Sequence, residues 1–389
     1  MERQRTRKDY EKEETHKSQM KIVVAPDKFK GSLTAFEVCQ SIEKGLKSLD
    51  NNFDVYSFPM ADGGDGFASI LQYYVHTETI ECTTVDPLGR SIQGSWQWNN
   101  ETKTAIIEMA VASGLVLLKL PEKNPLLAST YGTGLLIKDA IERGARKIVL
   151  GIGGSATNDG GTGILEALGF QLIDESGRIV KGNGENMALI KKIIPPSLPS
   201  LKFEIACDVQ NILYGKNGAA YVYAPQKGAN EEQVRQLDNG LRNLAEILFN
   251  ETGKEVATIP GTGAAGGIPA SLLSYFDVEL KQGVDMVIDA SGIKNNLDNV
   301  DLIITGEGKI DRQSLDGKVI GKIAALANER NIPVIAICGK LELEQQEIEA
   351  TGLNAAYSIN NGLTLEESMK NAASLLAEKI KESATKFLI

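Results

Sequence analysis

The feature that most constrains the fold is a repeated order of short apolar strand, polar turn and helix-forming segment. Strands are predicted over residues 22–25 and 55–58, and apolar residues at helical spacing follow each of them. Near the carboxyl terminus, residues 301–305 and 334–337 are predicted strands on either side of a helix over residues 319–327. Consecutive units of this kind predict a parallel sheet, because parallel neighbours need a crossover that a helix usually supplies.

Residues 80–108 show a different sequence pattern, without helix-forming segments between the strands. Turn signals at residues 86–89 and 99–100 separate short strand-like runs, a pattern typical of antiparallel hairpins. Trp96 and Trp98 alternate along one of these runs and are predicted to pack in a core. Alternation of helix and strand resumes after this segment.

These patterns predict an α/β fold of two domains. Residues 20–65 and 290–389 are assigned to a discontinuous flavodoxin- or Rossmann-like domain with a parallel sheet, and residues 66–289 to an inserted, mixed α/β domain. Residues 1–19 are mostly charged and are predicted to be a disordered extension. Whether this extension belongs to the natural protein is left open.

The charge of the chain limits its partners. The 389 residues carry a formal net charge of −10, which disfavours broad attraction to nucleic acid or to anionic lipid. No apolar run approaches the roughly 20 residues that cross a bilayer, and the polar start is unlike a signal peptide. We therefore expect a cytoplasmic protein that binds neither nucleic acid nor membrane. An anionic substrate must be held by local cations and backbone N–H groups.

Histidine and cysteine usage excludes several kinds of site. The chain has two histidines, His16 and His76, so a metal site built from several histidines is impossible. Its four cysteines are far apart, without a Cys-x-x-Cys pair, and are predicted to be buried free thiols. Proton transfer therefore falls to a carboxylate or a lysine.

The main candidate for anion binding is the glycine-rich segment of residues 151–163, which follows a buried strand and precedes a helical run. Glycines allow the backbone to approach a phosphate closely, and N–H groups at a helix start attract anions. The loop also carries Ser155, Thr157, Asn158 and Asp159, so it is not a dinucleotide fingerprint. No Gly-Lys pair is followed by Ser or Thr, so a nucleotide cannot bind here through a Walker A loop.

Two further glycine clusters follow the same theme. Residues 260–267 contain only small side chains beside Pro260, which suits either a nucleotide or close packing against another backbone. Residues 305–311 follow the predicted strand at 301–305, and ligands in open α/β sheets bind beyond the carboxyl ends of strands.

Charged residues follow the first two strands. Asp27, Lys28 and Lys30 lie between the first strand and the first helix, where lysines suit an anionic ligand and Asp27 suits a hydroxyl. Asp62 and Asp65 follow the second strand and are candidate Mg²⁺ ligands or bases, although Asp beside Gly is also ordinary turn chemistry.

Two isolated cations leave alternatives open. Arg90 ends the turn at residues 86–90 and is either solvated or ligand-binding. Lys227 lies near a turn, and there we favour a functional role.

Taken together, these segments resemble the bacterial glycerate kinases of the two-domain type that lacks a Walker A loop. The resemblance covers nearly the whole chain from Met20 onward. The matching segments are residues 25–33, 61–66, 86–90, 107–110 with 112–115, 130–134, 151–161, 225–229, 263–267 and 304–308. Departures are few: Lys28 stands where the family often has Ser, Ile212 where it often has Pro, and Pro269 where a small residue is usual.

The resemblance implies transfer of phosphate from ATP to D-glycerate with Mg²⁺, in glycerate, glyoxylate or sugar-acid catabolism. It favours 2-phosphoglycerate over 3-phosphoglycerate as the product. It also implies a flavodoxin-like domain and a second α/β domain with the active site in the cleft between them. Alternatives are a kinase of another short hydroxy acid, or a nucleotide- or sugar-acid-binding sensor without turnover. The oligomeric state is not encoded in these motifs, and a homodimer is left open.

The site hypothesis assigns a role to each candidate residue. The catalytic candidates are Asp159, Asp62, Asp27 and Lys30. The candidates for binding ATP are Gly153, Gly154, Ser155, Thr157, Asn158, Gly263, Gly266, Gly267, Thr305 and Glu307. Lys28, Arg90 and Lys227 are assigned to the substrate, and Asp65 and Asp62 to the metal. Which aspartate is the base and which binds metal is left open.

Overall fold

The computed structural model describes residues 19–64, 66–315, 318–360 and 362–388. The predicted extension at residues 1–19 therefore lies, except for its last residue, outside the described residues. The strands are β1 (Lys21–Val24), β2 (Asp54–Ser57), β3 (Glu78–Val85), β4 (Ser91–Asn99), β5 (Thr104–Glu108), β6 (Lys147–Gly151), β7 (Gln171–Asp174), β8 (Ile190–Ile194), β9 (Lys202–Ala206), β10 (Asp277–Lys281), β11 (Leu302–Ile310), β12 (Val334–Leu341) and β13 (Ala355–Ser358).

The α-helices of these residues range from one turn to six turns. They are α1 (Ala35–Leu49), α2 (Phe67–Tyr74), α3 (Ala110–Ser113), α4 (Tyr131–Glu142), α5 (Thr162–Ala167), α6 (Ala219–Tyr223), α7 (Glu231–Thr252), α8 (Ile268–Tyr275), α9 (Gly283–Ser291), α10 (Arg312–Leu315), α11 (Val319–Asn328), α12 (Gln345–Ala350), α13 (Leu365–Lys370) and α14 (Ala372–Leu388). Among the residues described, no helix combines the length and the apolar character that a membrane span needs.

The chain divides into two compact units. The first contains the described residues up to Pro59 together with those from Ile293 onward, and the second is the continuous segment Met60–Gly292. Each unit has its own hydrophobic core, one centred on residues such as Ile22 and Ile335 and the other on residues such as Leu150 and Phe203.

The first unit contains a parallel sheet with the strand order β13-β12-β11-β1-β2. Counted in chain order within the unit, this is the 2-1-3-4-5 order of flavodoxin-like folds, which confirms the predicted class. The strand order reverses between β1 and β11. Ligands of such sheets bind outside the carboxyl ends of the strands at this switch point.

Helix α1 shows how the sequence builds this unit. Thr34 and Glu37 form a capping box, in which the Thr34 hydroxyl accepts a hydrogen bond from the Glu37 N–H and the Glu37 carboxylate accepts one from the Thr34 N–H. The helix buries an apolar stripe that includes Val38 and Ile42. Gly45 lets α14 approach closely, since a Cβ there would lie 2.6 Å from the Ala377 carbonyl oxygen.

Two helices lie at the end of the described chain. Thr364 and Glu367 form a capping box that starts α13, which ends at Lys370. A separate helix, α14, then closes the described chain. Cap residues indicate where a helix begins and carry no information about its length.

The second unit contains a mixed sheet with the order β10-β9-β6-β5-β4-β3. Strands β3, β4 and β5 pair antiparallel, as predicted, whereas β5, β6, β9 and β10 pair parallel. Trp96 and Trp98 are buried on β4 and pack edge to face at 5.9 Å, which confirms their predicted packing role. Three of the predicted buried thiols are buried, and Cys82 is half-buried.

Candidate functional site

The loop between β6 and α5 is built around the side chain of Asp159. This carboxylate is fully buried and accepts hydrogen bonds of 2.7 Å from both the N–H and the hydroxyl of Thr130. It also accepts bonds from the N–H groups of Gly161 (3.1 Å) and Gly163 (3.4 Å). Burial raises the pKa of Asp159, and these hydrogen bonds act in the opposite direction. The side chain therefore ties the loop to the start of α4 and to the start of α5.

A buried lysine supports the same loop from within. Lys227 is 2% exposed, and its ammonium group donates hydrogen bonds of 2.6 Å to the Ser155 hydroxyl and to the Thr157 carbonyl. Burial lowers the pKa of Lys227 to about 7, and the negative charge of Asp159 works against this shift. Lys227 reaches the loop from the short 3₁₀ helix Pro225–Lys227, 72 residues away from Ser155 in sequence. The structure thus places Lys227 underneath the loop.

The loop exposes only part of its length to solvent. Gly154 is exposed and Gly153 is half-buried, whereas Thr157 and Asn158 are fully buried. The Thr157 hydroxyl and both amide atoms of Asn158 find no hydrogen-bond partner among the described residues. Buried polar groups are usually paired, and leaving one unpaired costs about 1–3 kcal/mol, so these atoms suit a bound polar ligand or water. A phosphate can reach the backbone at Gly153 and Gly154.

The second glycine-rich run packs directly against this loop. A Cβ at Gly266 would collide with the Thr157 carbonyl oxygen, and the Gly160 N–H donates a 2.9 Å hydrogen bond to the Gly266 carbonyl. A Cβ at Gly263 would collide with the Ile212 carbonyl, and one at Gly267 would lie 2.9 Å from a Leu213 methyl carbon. All three glycines are buried. Their positions favour the close-packing interpretation of this run.

The turn that carries Asp62 lies against the other side of the loop. A Cβ at Gly153 would lie 2.8 Å from the Cα of Gly64, whose N–H donates a 3.1 Å hydrogen bond to Asp62. This turn connects Met60 to the start of α2. Gly153 therefore needs to be a glycine because two backbones meet there.

Asp208 is a further candidate that the sequence analysis did not include. It lies just beyond β9, its Oδ1 accepts a 2.9 Å hydrogen bond from the Gly283 N–H, and its Oδ2 would lie 2.7 Å from a Cβ at Gly63. Asp208 thus lies against the Asp62 turn. The sequence carries the same signal for Asp208 as for Asp27 and Asp62, namely an acidic residue shortly after an apolar strand.

Of the two metal ligands that the sequence predicts, Asp62 lies in the turn described above. The other, Asp65, lies outside the described residues. In the part of the chain that the structure describes, no three His, Cys, Asp or Glu side chains group around a common point. Mg²⁺ commonly binds one or two carboxylates together with water and substrate phosphates, a donor set that Asp62 and Asp208 fit.

In the first unit, predicted residues gather at the switch point of the sheet. The Asp27 N–H donates to the Gly306 carbonyl (2.8 Å), and the Thr305 hydroxyl donates to the Ala25 carbonyl (2.8 Å). Glu307 is buried on the same strand. Asp27 also accepts a 2.6 Å hydrogen bond from the Lys28 N–H, and the Lys28 ammonium lies 3.8 Å from the same oxygen.

Lys30 also lies near the switch point, beside the carboxyl-terminal part of β11. The Cβ position of Gly308 on β11 is 3.0 Å from the Lys30 nitrogen of the main chain, and the Lys30 side chain is exposed. The switch point of the first unit therefore presents an acid and two lysines.

Arg90 is engaged by acids of its own surroundings. Its guanidinium pairs with Asp86 and, at 2.7 Å, with Glu122, and these two partners raise the pKa of Arg90, Glu122 more than Asp86. A neighbouring cavity of about 400 Å³ is lined by Asp86 and by two glutamates, Glu166 and Glu185, against one lysine. This acidic lining does not favour a carboxylate ligand. The assignment of Arg90 to the substrate stays a prediction.

Known proteins that are similar to this chain include glycerate kinases. The sequence profile of the glycerate kinase family matches residues 22–388. A glycerate kinase of Halalkalibacterium halodurans is 40% identical over 368 residues, which are 93% of this chain and 97% of the relative. A glycerate 2-kinase of Escherichia coli K12 is 40% identical over 358 residues, which are 91% of this chain and 94% of the relative.

A solved structure gives the same result. A crystal structure provisionally named glycerate kinase 2, from Salmonella typhimurium LT2, has a TM-score of 0.83 and 37% sequence identity, and the match covers 95% of this chain and 98% of that one. Both sequence and structure lead to one conclusion: the chain belongs to the glycerate kinase family.

Proposed function

We propose that this protein transfers the γ-phosphoryl group of ATP to a hydroxyl of D-glycerate and forms 2-phosphoglycerate. The observation that carries the proposal is the loop of residues 153–157, in which the half-buried Gly153 and the exposed Gly154 precede Ser155 and Thr157, and a buried lysine donates hydrogen bonds to these last two residues. Membership of the glycerate kinase family supports glycerate as the acceptor. The E. coli relative, named glycerate 2-kinase, supports the 2-position.

The loop suits phosphate chemistry that depends on positioning and charge. Phosphoryl transfer needs little covalent help from a protein, so catalysis rests on holding the reactants in line and neutralising developing charge. Backbone N–H groups at Gly153 and Gly154 would hold phosphate oxygens, and the Lys227 ammonium adds positive charge beneath them. Because Asp159 ties the loop to the starts of α4 and α5, this arrangement exists before the nucleotide arrives.

Mg²⁺ belongs to the proposal as the partner of the phosphates. When bound, it would neutralise phosphate charge. Asp62 and Asp208 are the residues that would hold it, as the one or two carboxylates that Mg²⁺ commonly takes from a protein. Asp65, which the sequence also assigns to the metal, lies outside the described residues and stays a prediction.

The acceptor is assigned to the switch point of the first unit. Lys28 is proposed to pair with the glycerate carboxylate, and Lys30 to contact phosphate. The attacking hydroxyl is assigned to Asp27 or Asp62. We prefer these to Asp159, because the two oxygens of Asp159 already accept four hydrogen bonds inside the protein.

The direct test is the product. Purified protein is incubated with ATP, Mg²⁺ and D-glycerate, and the product is identified by phosphorus NMR. We expect the resonance of 2-phosphoglycerate. A 3-phosphoglycerate resonance would refute the assigned position, and ligand binding by calorimetry without any ADP would replace the kinase with a sensor. A panel of short hydroxy acids and polyols tests whether a carboxylate is required.

The cytoplasmic location, the role in glycerate catabolism and a homodimer also belong to this proposal.

A further inference from the structure

The first unit contains a cavity to which no ligand has been assigned above, although Lys30, proposed above to contact phosphate, lies at its edge. Its volume is about 280 Å³, and it lies at the carboxyl ends of the parallel strands, where β11 and β12 contribute Gly308 and Gly339. Pockets for small molecules usually enclose about 300–1,000 Å³, so this one has room for a bicyclic base and not for a whole nucleoside triphosphate.

One wall of the cavity is apolar. Its apolar side chains come from the turn after β1, from the end of β13 and from helices α13 and α14, and they are Phe29, Ile359, Leu365, Met369 and Ala372. Glycerate is a three-carbon anion with two hydroxyl groups and would gain little from such a wall. A flat aromatic base gains from it through burial of apolar surface.

The lining of the cavity also includes polar and basic side chains. Lys30 and Lys340 line it, together with Asn360 at the end of β13. Lys340 pairs with Glu342 at 2.7 Å, whereas Lys30 forms no ion pair within the described residues. Two ammonium groups beside an apolar wall match a ligand with an aromatic part and an anionic part.

A buried hydroxyl gives an independent indication of a ligand. Ser368 on α13 lines the cavity, is 8% exposed, and its hydroxyl has no hydrogen-bond partner among the residues that the structure describes. Buried polar atoms without a partner are uncommon, and the ring nitrogens of a purine are acceptors for a hydroxyl donor.

The cavity is held in shape by contacts that do not involve a ligand. The Ser32 hydroxyl donates a 2.9 Å hydrogen bond to the Met369 carbonyl, which ties the turn after β1 to α13. Gly31 has a left-handed backbone (φ +76°) that favours glycine, and the terminal carbon of Met369 lies 2.9 Å from where its Cβ would be. A preformed wall lowers the cost of ordering on binding.

We propose that this cavity is the subsite for the adenine base of the phosphoryl donor, with Lys30 and Lys340 at its mouth. The inference rests on the proposed function, because it assumes that the donor is a nucleotide. It goes beyond it by assigning the base to Ser368 and to the apolar wall of α13 and α14.

The first experiment labels the unaltered full-length protein with 8-azido-ADP under light and maps the modified peptides by mass spectrometry. We expect modification within residues 359–372 or at the turn around Phe29, and we expect excess ADP to prevent it. Modification that ADP prevents, but that lies only in other segments, would overturn the proposal. This result does not depend on turnover, so it is separate from the product test of the kinase assignment.

The second experiment fills the cavity. Ser368→Leu should weaken ADP binding by about tenfold or more in calorimetry, while inhibition by inorganic tripolyphosphate and the KM for glycerate stay within about twofold. The control is Ser374→Leu on α14, whose side chain is exposed and does not line the cavity. A folded Ser368→Leu protein, with the melting temperature of the control, that binds ADP normally would refute the proposal. If Ser368→Leu does not fold, the photolabelling result decides.

Discussion

At the scale of single residues, the most informative side chain is Lys227, because it is a lysine almost without exposure to water. Its pKa is about 7 in the folded protein and 10.5 in its ordinary state, so between these values the unfolded chain binds a proton that the folded chain does not. The free energy of unfolding contributed by this residue therefore rises with pH above 7. At its steepest the rise is about 1.4 kcal/mol per pH unit.

We predict that the unfolding free energy of the wild type rises relative to that of Lys227→Met as the pH increases from 7 to 9. Urea denaturation at pH 7, 8 and 9 measures it. The difference for Lys216→Met, a substitution of an exposed lysine, should stay constant. If the Lys227→Met difference is equally constant, Lys227 does not titrate in this range.

Asp159 leads to a prediction about stability. In Asp159→Asn, an NH₂ group replaces one acceptor oxygen, so donors from Thr130, Gly161 or Gly163 lose their partner in a buried site. We expect a loss of about 2–4 kcal/mol in unfolding free energy. Chemical denaturation checks this, with exposed Asp277→Asn as the control. A variant that keeps wild-type stability but loses turnover would return Asp159 to the list of catalytic groups.

The two acids preferred for orienting the hydroxyl are tested separately. Asp27→Asn and Asp62→Asn remove charge without removing volume. If one of them orients the hydroxyl, its kcat should fall by about 10²–10³, the usual effect of losing one well-placed group. Steady-state assays of glycerate-dependent ADP release measure this. Wild-type kcat in both variants would exclude both residues.

At the scale of elements, the contact between the two glycine-rich segments can be tested with a matched pair of glycines. Gly266 (φ +75°) and Gly253 (φ +72°) have similar backbone conformations, but a Cβ collides with Thr157 at the first and meets nothing within 4 Å at the second. Gly253→Ala should cost about 1 kcal/mol, the strain of the left-handed conformation.

Gly266→Ala should cost more than Gly253→Ala and should also raise the KM for ATP several-fold, because it displaces the loop at residues 153–158. Thermal unfolding and initial rates at varied ATP give both quantities. Equal effects of the two substitutions would show that the contact between the segments has no role in nucleotide binding.

At the scale of the whole molecule, the two cores provide separate probes of unfolding. Both tryptophans, Trp96 and Trp98, lie in the second unit, whereas the buried thiols of Cys39 and Cys338 lie in the first. Burial raises the pKa of both thiols, Cys338 to about 12, so they react slowly while folded. We predict different urea midpoints for tryptophan fluorescence and for pulsed labelling of these cysteines. Coincident midpoints would show that the two units unfold as one.

The fold of the first unit was predicted in outline because local signals agree with one another. Apolar runs near residues 22–25 and 334–337, a capping box at Thr34 and the helix-forming residues between them favour the same parallel sheet. Strand β13 was missed, because Ala355–Ser358 is short and only partly buried. The domain boundaries at residues 65 and 289 stay a prediction, although the compact units divide near them.

The sequence by itself determined the class of fold, the family and the segments in which polar groups follow strands, because periodicity, turn residues and motif order are local properties. Only the tertiary structure decided which of those groups are buried and which other residues they contact. Lys227 and Asp159 proved to be inside the protein, Asp208 and Ser368 became candidates, and the glycines at 263, 266 and 267 proved to be buried contacts. The physical reason is that burial and hydrogen-bond pairing depend on residues distant in sequence, which no local pattern specifies.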